Sequence, residues 1–164
     1  EQKSQEMLKN EAIGQGFFYT MNWKEADDYL LKVIDHPDFN EYFPPYLKVI
    51  TLEALGLIRL GEGNFSEALD FANRALAFDY DLDKPSSNGW PGFGIFKARE
   101  GDQKDQLVGS TGMPNRVLGD IYREMGELEK ARENYRLSLE KCERLNISEG
   151  AQFWLEALNE KLKK

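Results

Sequence analysis

A single cysteine, Cys142, and a single histidine, His36, are all that the 164 residues contain of those two types. One thiol cannot close an internal disulfide, and one residue of each kind cannot enclose a zinc ion, which takes about four nitrogen or sulfur ligands. Long apolar runs are missing as well. Charges interrupt every greasy segment within a few positions, far short of the roughly 20 apolar residues that a membrane-spanning helix needs. The expectation is a soluble chain without membrane insertion. Nor do Lys and Arg cluster with aromatics anywhere, and a net charge of −8 repels a phosphate backbone, so nucleic acid is set aside as a partner. The opening residues, Glu1-Gln2-Lys3-Ser4-Gln5-Glu6, carry neither an initiator Met nor the basic-then-apolar layout of a secretion signal. A cytoplasmic segment trimmed from something longer is expected.

Apolar residues at 41% and charged residues at 30% match an ordinary folded protein, and the length suits one domain with a substantial core. Within it the sequence repeats itself. Ile13-Gly14 is followed by Asn22-Trp23-Lys24-Glu25-Ala26, Leu55-Gly56 by Asn64-Phe65-Ser66-Glu67-Ala68, and Leu118-Gly119 by Glu127-Leu128-Glu129-Lys130-Ala131. The step from Gly to Ala is 12 residues in each copy, and the step from Gly to the bulky residue Trp23, Phe65 or Leu128 is 9. A mid-helix Gly costs about 1 kcal/mol relative to Ala, so it persists where two helices approach too closely for a side chain. Gly14, Gly56 and Gly119 therefore mark the crossings of helical hairpins. Ala26, Ala68 and Ala131 are expected to face them, with Phe17, Tyr122, Tyr135 and the bulky turn residues filling the space beside. Met21, Gly63 and Gly126 fall where the first helix ends and the chain enters the left-handed region.

These residues resemble the tetratricopeptide repeat family: a Leu-Gly step, an aromatic three positions on, a Gly-Asn-aromatic turn, and Glu-Ala opening the second helix. Asn115 to Tyr135 is the closest copy. The second copy departs at Arg59 and Ala72, where the family has bulk, and the first at Met21 and Leu30. The family repeats every 34 residues or about that, but here equivalent glycines lie 42 and then 63 apart. The array is thus interrupted twice. The first interruption, His36-Pro37-Asp38-Phe39-Asn40-Glu41-Tyr42-Phe43-Pro44-Pro45, is expected to lengthen a turn or a helix start, its prolines ending one helix and opening the next. The second, about 81–112, contains Lys84-Pro85-Ser86-Ser87-Asn88-Gly89-Trp90-Pro91-Gly92-Phe93-Gly94-Ile95-Phe96, which mixes turn formers with aromatics. Either 95–106 forms a short extra helix or the segment is functional. Ser148 is placed to cap a last helix, on which Ala151, Trp154, Leu155, Leu158 and Leu162 share one face.

The fold expected is all-α: an α-solenoid of three hairpins at about 7–38, 46–80 and 113–145, an aromatic Gly/Pro-rich insertion at 81–112, and a capping helix at about 149–163. The resemblance implies that a partner lies on the concave surface of the first helices. That surface would include Glu11, Gln15 and Phe18, then Glu53, Leu57 and Leu60, then Arg116, Asp120 and Arg123. The alternative is an ordinary solvated face partly covered by the insertion. The carboxylate clamp of some family members, which uses Lys, Asn and Arg, is absent, because its positions hold Glu11, Gln15, Ala54, Met113 and Val117. Arg116 and Arg123 could grip a carboxylate, but Asp120 between them makes an ion pair within the helix the simpler account. Trp90, Phe93 and Phe96 are either anchors for a partner or a plug folded back on the groove.

No catalytic set is found. His36 beside Pro37 reads as a helix-end cap, Cys142 at helical spacing from Leu139 and Leu145 as core, and Asp79-x-Asp81-x-Asp83 as a solvated helix end lacking the Gly and distal Glu of a calcium loop. The Gly-rich run 89–94 lacks the Lys-Ser/Thr of a phosphate loop. The reading is a scaffold or adaptor that binds a peptide or helix of a protein partner, without cofactor, metal or catalysis. A structural or self-association module, including a homo-oligomer, is the rival reading, and a small-molecule or enzymatic pocket in the insertion comes after it.

Overall fold

The computed structural model of the chain describes residues 2–78, 114–145, 160 and 163. These residues form seven helices and no strand: α1 Gln2–Tyr19, α2 Trp23–Ile34, α3 Phe39–Tyr42, α4 Pro45–Gly61, α5 Phe65–Ala77, α6 Pro114–Glu124 and α7 Leu128–Leu145. Among the described residues the fold is all-helical, as expected. It divides into two compact units, residues 1–80 and 81–164, and the division falls at the start of the segment that the sequence marks as an insertion. The first unit contains hairpins α1/α2 and α4/α5, and the second contains α6/α7.

All three hairpin turns are built alike. Asn22, Asn64 and Glu127 each donate a backbone N–H to the carbonyl five residues back, on Phe17, Arg59 and Tyr122, at 2.9 Å. The residue before each donates three positions back: Met21 to Phe18 at 3.2 Å, Gly63 to Leu60 and Gly126 to Arg123 at 3.0 Å. This pair of bonds satisfies carbonyls that a helix end would otherwise leave open, and it needs a left-handed residue at the bend. Met21, Gly63 and Gly126 supply it with φ of +63, +75 and +79°, at the positions expected from the sequence. The second helix then starts with Ala26, Ala68 and Ala131 donating to the carbonyls of Asn22, Asn64 and Glu127. In the second hairpin Asn64 Oδ1 also caps the N–H of Glu67 at 3.2 Å.

The second helices bury equivalent stripes: Ala26, Leu30 and Val33 on α2; Ala68, Ala72 and Ala75, with Phe71, on α5; Ala131, Tyr135 and Ser138 on α7. Spacings of four and three residues put each set on one face. The glycines meet these stripes at close quarters. A Cβ on Gly14 would stand 2.7 Å from Leu30 Cδ2, and one on Gly119 would overlap the Tyr135 ring. Gly56 is less crowded, with its nearest neighbour, the Ala68 carbonyl, at 3.4 Å. At Gly56 the nearest neighbour is the expected alanine, Ala68; at Gly14 and Gly119 the nearest atoms belong to the side chain four residues beyond the alanine, Leu30 and Tyr135. Of the bulky turn residues expected beside the crossings, Phe65 is half-buried, whereas Trp23 is 40% and Leu128 49% exposed. Trp23 covers Phe18 edge-on, with ring centroids 5.3 Å apart.

The first interruption is more than a longer turn. Its two phenylalanines enter the core while Tyr42 stays exposed: Phe39 and Phe43 are 2% exposed, and Phe39 meets Phe43 at 5.7 Å and the edge of Phe78, beyond α5, at 6.1 Å. The one-turn helix α3 holds them in place. Pro45 then opens α4 at its first turn, where the missing N–H removes no hydrogen bond. His36 Nδ1 accepts the backbone N–H of Asp38 at 3.1 Å, which agrees with a local capping role just past α2. The capping helix expected at about 149–163 lies outside the described residues except for Glu160 and Lys163, which are helical and joined by an ion pair of 2.9 Å.

Candidate interaction surface

On α1, residues Met7, Glu11, Gly14, Gln15 and Phe18 are all buried. Steps of four, three, one and three residues make them a single face, and that face belongs to the core of the first unit. Phe18 is 1% exposed and a member of the core cluster, so it is not available on a solvated groove. Gln15 turns inward as well, its Nε2 donating to the Ile50 carbonyl of α4 at 3.4 Å. Glu11 accepts from the Gln15 side chain, yet burial dominates, and its carboxyl is pushed up from 4.5 to about 7. Their burial corrects the assignment of Glu11, Gln15 and Phe18 to an open groove. Polarity argued for solvent at Glu11 and Gln15, but helical register places both on the core face of α1, from which Gln15 reaches α4.

On α4 the helix is buried from Lys48 to Gly56 on every side, Glu53 included, while Leu57 and Leu60 remain half-buried. These two leucines keep partly open apolar surface where the sequence expects it. Beside them Arg59 gathers acids from three elements. Its guanidinium meets Asp27 of α2 at 2.8 and 3.3 Å, Glu67 of α5 at 2.8 Å and Glu62 at 3.5 Å, and it lies 5.6 Å from the Phe71 ring centroid. The departure from an aromatic at this position is thereby explained: a planar cation covers the Phe71 ring and ties the first hairpin to the second. The pairing was not anticipated from sequence, although Asp27, Glu62 and Glu67 all sit at or near the repeated turns.

In the second unit every residue from Pro114 to Ile121 is buried. Arg116 is fully buried and pairs with Asp120 one turn on, Nη1 to Oδ2 at 3.3 Å, the ion pair within the helix that the sequence favours. Asp120 also accepts the Tyr135 hydroxyl of α7. Burial, followed by the negative charge of Asp120, raises that phenol well above its ordinary range, so it stays a hydrogen-bond donor at any physiological pH. Asn115 adds a bond to Asn134 of α7 at 3.2 Å. Arg116 and Asp120 therefore serve the α6/α7 contact, which corrects their assignment to an exposed surface; Arg123, at the end of α6, keeps partial exposure.

Trp90, Phe93 and Phe96, the Asp79-x-Asp81-x-Asp83 pattern and the Gly-rich run lie outside the described residues. Cys142 falls on α7. Among the described residues no group of three or more His, Cys, Asp or Glu side chains could hold a metal ion, and no helix is long and apolar enough to cross a membrane. No protein-family model, curated protein or solved structure matches the chain.

Proposed function

We propose that this chain is a protein-interaction module of tetratricopeptide character, its hairpins arranged as an α-solenoid closed by a capping helix at 149–163, and that it acts by positioning a partner rather than by catalysis. One observation carries the repeat part of this reading: three hairpin turns share the same two backbone hydrogen bonds and a left-handed residue, Met21, Gly63 or Gly126, at the same offset from the crossing glycine. Repeated hairpins of this kind stack into arrays whose variable faces bind segments of other proteins. Support for binding comes from half-buried Leu57 and Leu60 on α4, apolar surface beside a charged turn, as an anchor for a peptide or helix needs. Arg123 and the aromatics Trp90, Phe93 and Phe96 complete the proposed set, whereas Gln15, Phe18, Arg116 and Asp120 support it from within. The lone histidine is engaged with the Asp38 backbone, which fits the absence of a general base from the reading.

The test is capture of partners from lysate by the full chain, by L57D/L60D and by W90A/F93A/F96A, with circular dichroism to confirm that each variant is folded. A partner retained by the parent and lost from either folded variant supports the reading and says which element recognises it. Retention of the same proteins by all three removes these residues from the binding surface. A parent that captures nothing but sediments as a dimer moves the self-association reading ahead.

A further inference from the structure

Independently of any partner, we propose that Glu11 makes the seam between α1 and α4 a pH-sensitive latch: protonated, it holds the first helix against the second hairpin, and ionised, it loosens that seam. Glu11 is 6% exposed in the middle of a buried helical face, between core residues Met7 and Phe18. Its Oε1 has no hydrogen-bond donor among the described residues, and the other stabilising contact is the Gln15 amide. The same Gln15 side chain bonds the Ile50 carbonyl of α4, so one amide connects the carboxyl to the neighbouring helix. A carboxylate in that position is short of donors, and an unpaired charge in an apolar setting is far costlier than the neutral acid.

The charges on the surrounding elements do not relieve it. On α4, Lys48 donates to the Asn40 carbonyl and stands 5.0 Å from the Phe78 ring centroid, and Arg59 is engaged with Asp27, Glu62 and Glu67. Glu53, also on α4 and fully buried, is a second acid and cannot neutralise a first. On α2, Glu25, Asp27 and Asp28 are acids, and Lys24 and Lys32 are the bases; the Lys32 ammonium lies 4.8 Å from the Tyr29 ring centroid. Burial outweighs the Gln15 bond and moves the Glu11 carboxyl from 4.5 to about 7.

The sign follows from proton linkage. The folded chain holds a proton on Glu11 that the unfolded chain releases near 4.5, so the stability from this group is complete below 4.5 and is lost as pH rises through about 7. A displacement from 4.5 to about 7 corresponds to a loss of up to about 300-fold in the folding equilibrium constant. Glutamine has the same shape as the protonated acid and no charge to gain.

The experiment measures urea unfolding of the full chain, E11Q, E53Q and H36Q from pH 4.5 to 8.5, with hydrogen-exchange protection read separately in α1 and α7. The H36Q chain serves as a control that removes the chain's single imidazole. The proposal requires the parent and the H36Q and E53Q chains to lose stability toward alkaline pH, the E11Q chain to be flatter by on the order of 100-fold, and protection to fall in α1 but not in α7. Parallel profiles for E11Q and parent overturn it, as does a profile flattened by E53Q or H36Q instead. Should E11Q fail to fold, carbon-detected NMR titration of the parent decides: a Glu11 carboxyl titrating close to 7 upholds the latch, and one titrating close to 4.5 ends it.

Discussion

Gly119 and Gly56 occupy the same place in two hairpins but differ in what a methyl group would meet. At Gly119 it would overlap the ring of Tyr135, which is buried and held by its bond to Asp120, so the ring cannot swing aside without breaking a buried polar contact. At Gly56 the neighbours are in ordinary contact, because Ala72 stands where the other copies carry Leu30 and Tyr135. Overpacking costs typically about 1–3 kcal/mol, while Gly to Ala in a helix gains about 1 kcal/mol. Gly119→Ala is therefore expected to destabilise by up to about 2 kcal/mol, and Gly56→Ala to be neutral or stabilising by up to about 1 kcal/mol, as measured by urea unfolding. Equal losses at both positions would contradict this account of the crossings. Met21 is a second residue-scale case. It is 60% exposed and holds φ of +63°, a strained setting for a side chain that buries little there. Met21→Gly should raise the thermal midpoint, with a gain of about 0.5–1 kcal/mol after the extra chain entropy of glycine is set against it.

Helices here are held by very unequal charge contacts. On α7, Arg136 bridges Glu133 and Glu140, and Arg132 reaches Glu129 at 2.9 Å, all with both partners about half exposed or more. Solvent screening and the entropy of fixing two long side chains leave such pairs with little net contribution. Arg59 is different, since its side chain is 10% exposed and its partners come from α2, the α4/α5 turn and α5. Removing it would strand Asp27 and uncover Phe71. Arg59→Ala is expected to cost about 2–3 kcal/mol, less than a fully buried pair because Glu62 and Glu67 can turn to water. Arg136→Ala should leave the thermal midpoint nearly where it was. Thermal unfolding of the two variants side by side tests the contrast, and similar shifts would count against Arg59 as the tie between hairpins. At the start of α5, Asn64→Ala removes the cap on Glu67 N–H and should cost about 1 kcal/mol. The Asn22 side chain makes no such cap bond, so Asn22→Ala should cost less through capping.

At the scale of the whole molecule, the core cluster runs from Met7 to Ala75 with Phe78 packed against it, all inside the first unit. A chain of residues 1–80 is therefore expected to fold alone, with a helical circular dichroism spectrum and a cooperative thermal transition. A gradual melt without a cooperative step would show that the unit depends on residues 81–164. Two hairpins linked by α3, the Phe39–Phe43–Phe78 aromatic group and the Arg59 contacts make one body without help from a disulfide. The acidic balance of the chain acts on a longer length scale than these contacts, and it governs which partners can approach rather than which helices pair.

The sequence by itself determined the helical class, the three crossings at Gly14, Gly56 and Gly119, and the left-handed bends at Met21, Gly63 and Gly126. Those features depend on local chemistry: backbone freedom, side-chain volume and a period of about 3.6 residues. Tertiary structure alone decided which face of each helix meets solvent. Glu11, Gln15, Arg116 and Asp120 look like surface residues by polarity, yet neighbouring helices close over them, and hydrogen bonds or a raised proton affinity make that burial tolerable. Phe39 and Phe43 look like part of a turn, and a one-turn helix carries them into the core. Arg59 looks like a departure from the repeat, and only the arrival of Asp27 from another hairpin shows it as the contact that joins two of them. Polarity is a property of one residue, whereas burial is a property of everything that surrounds it.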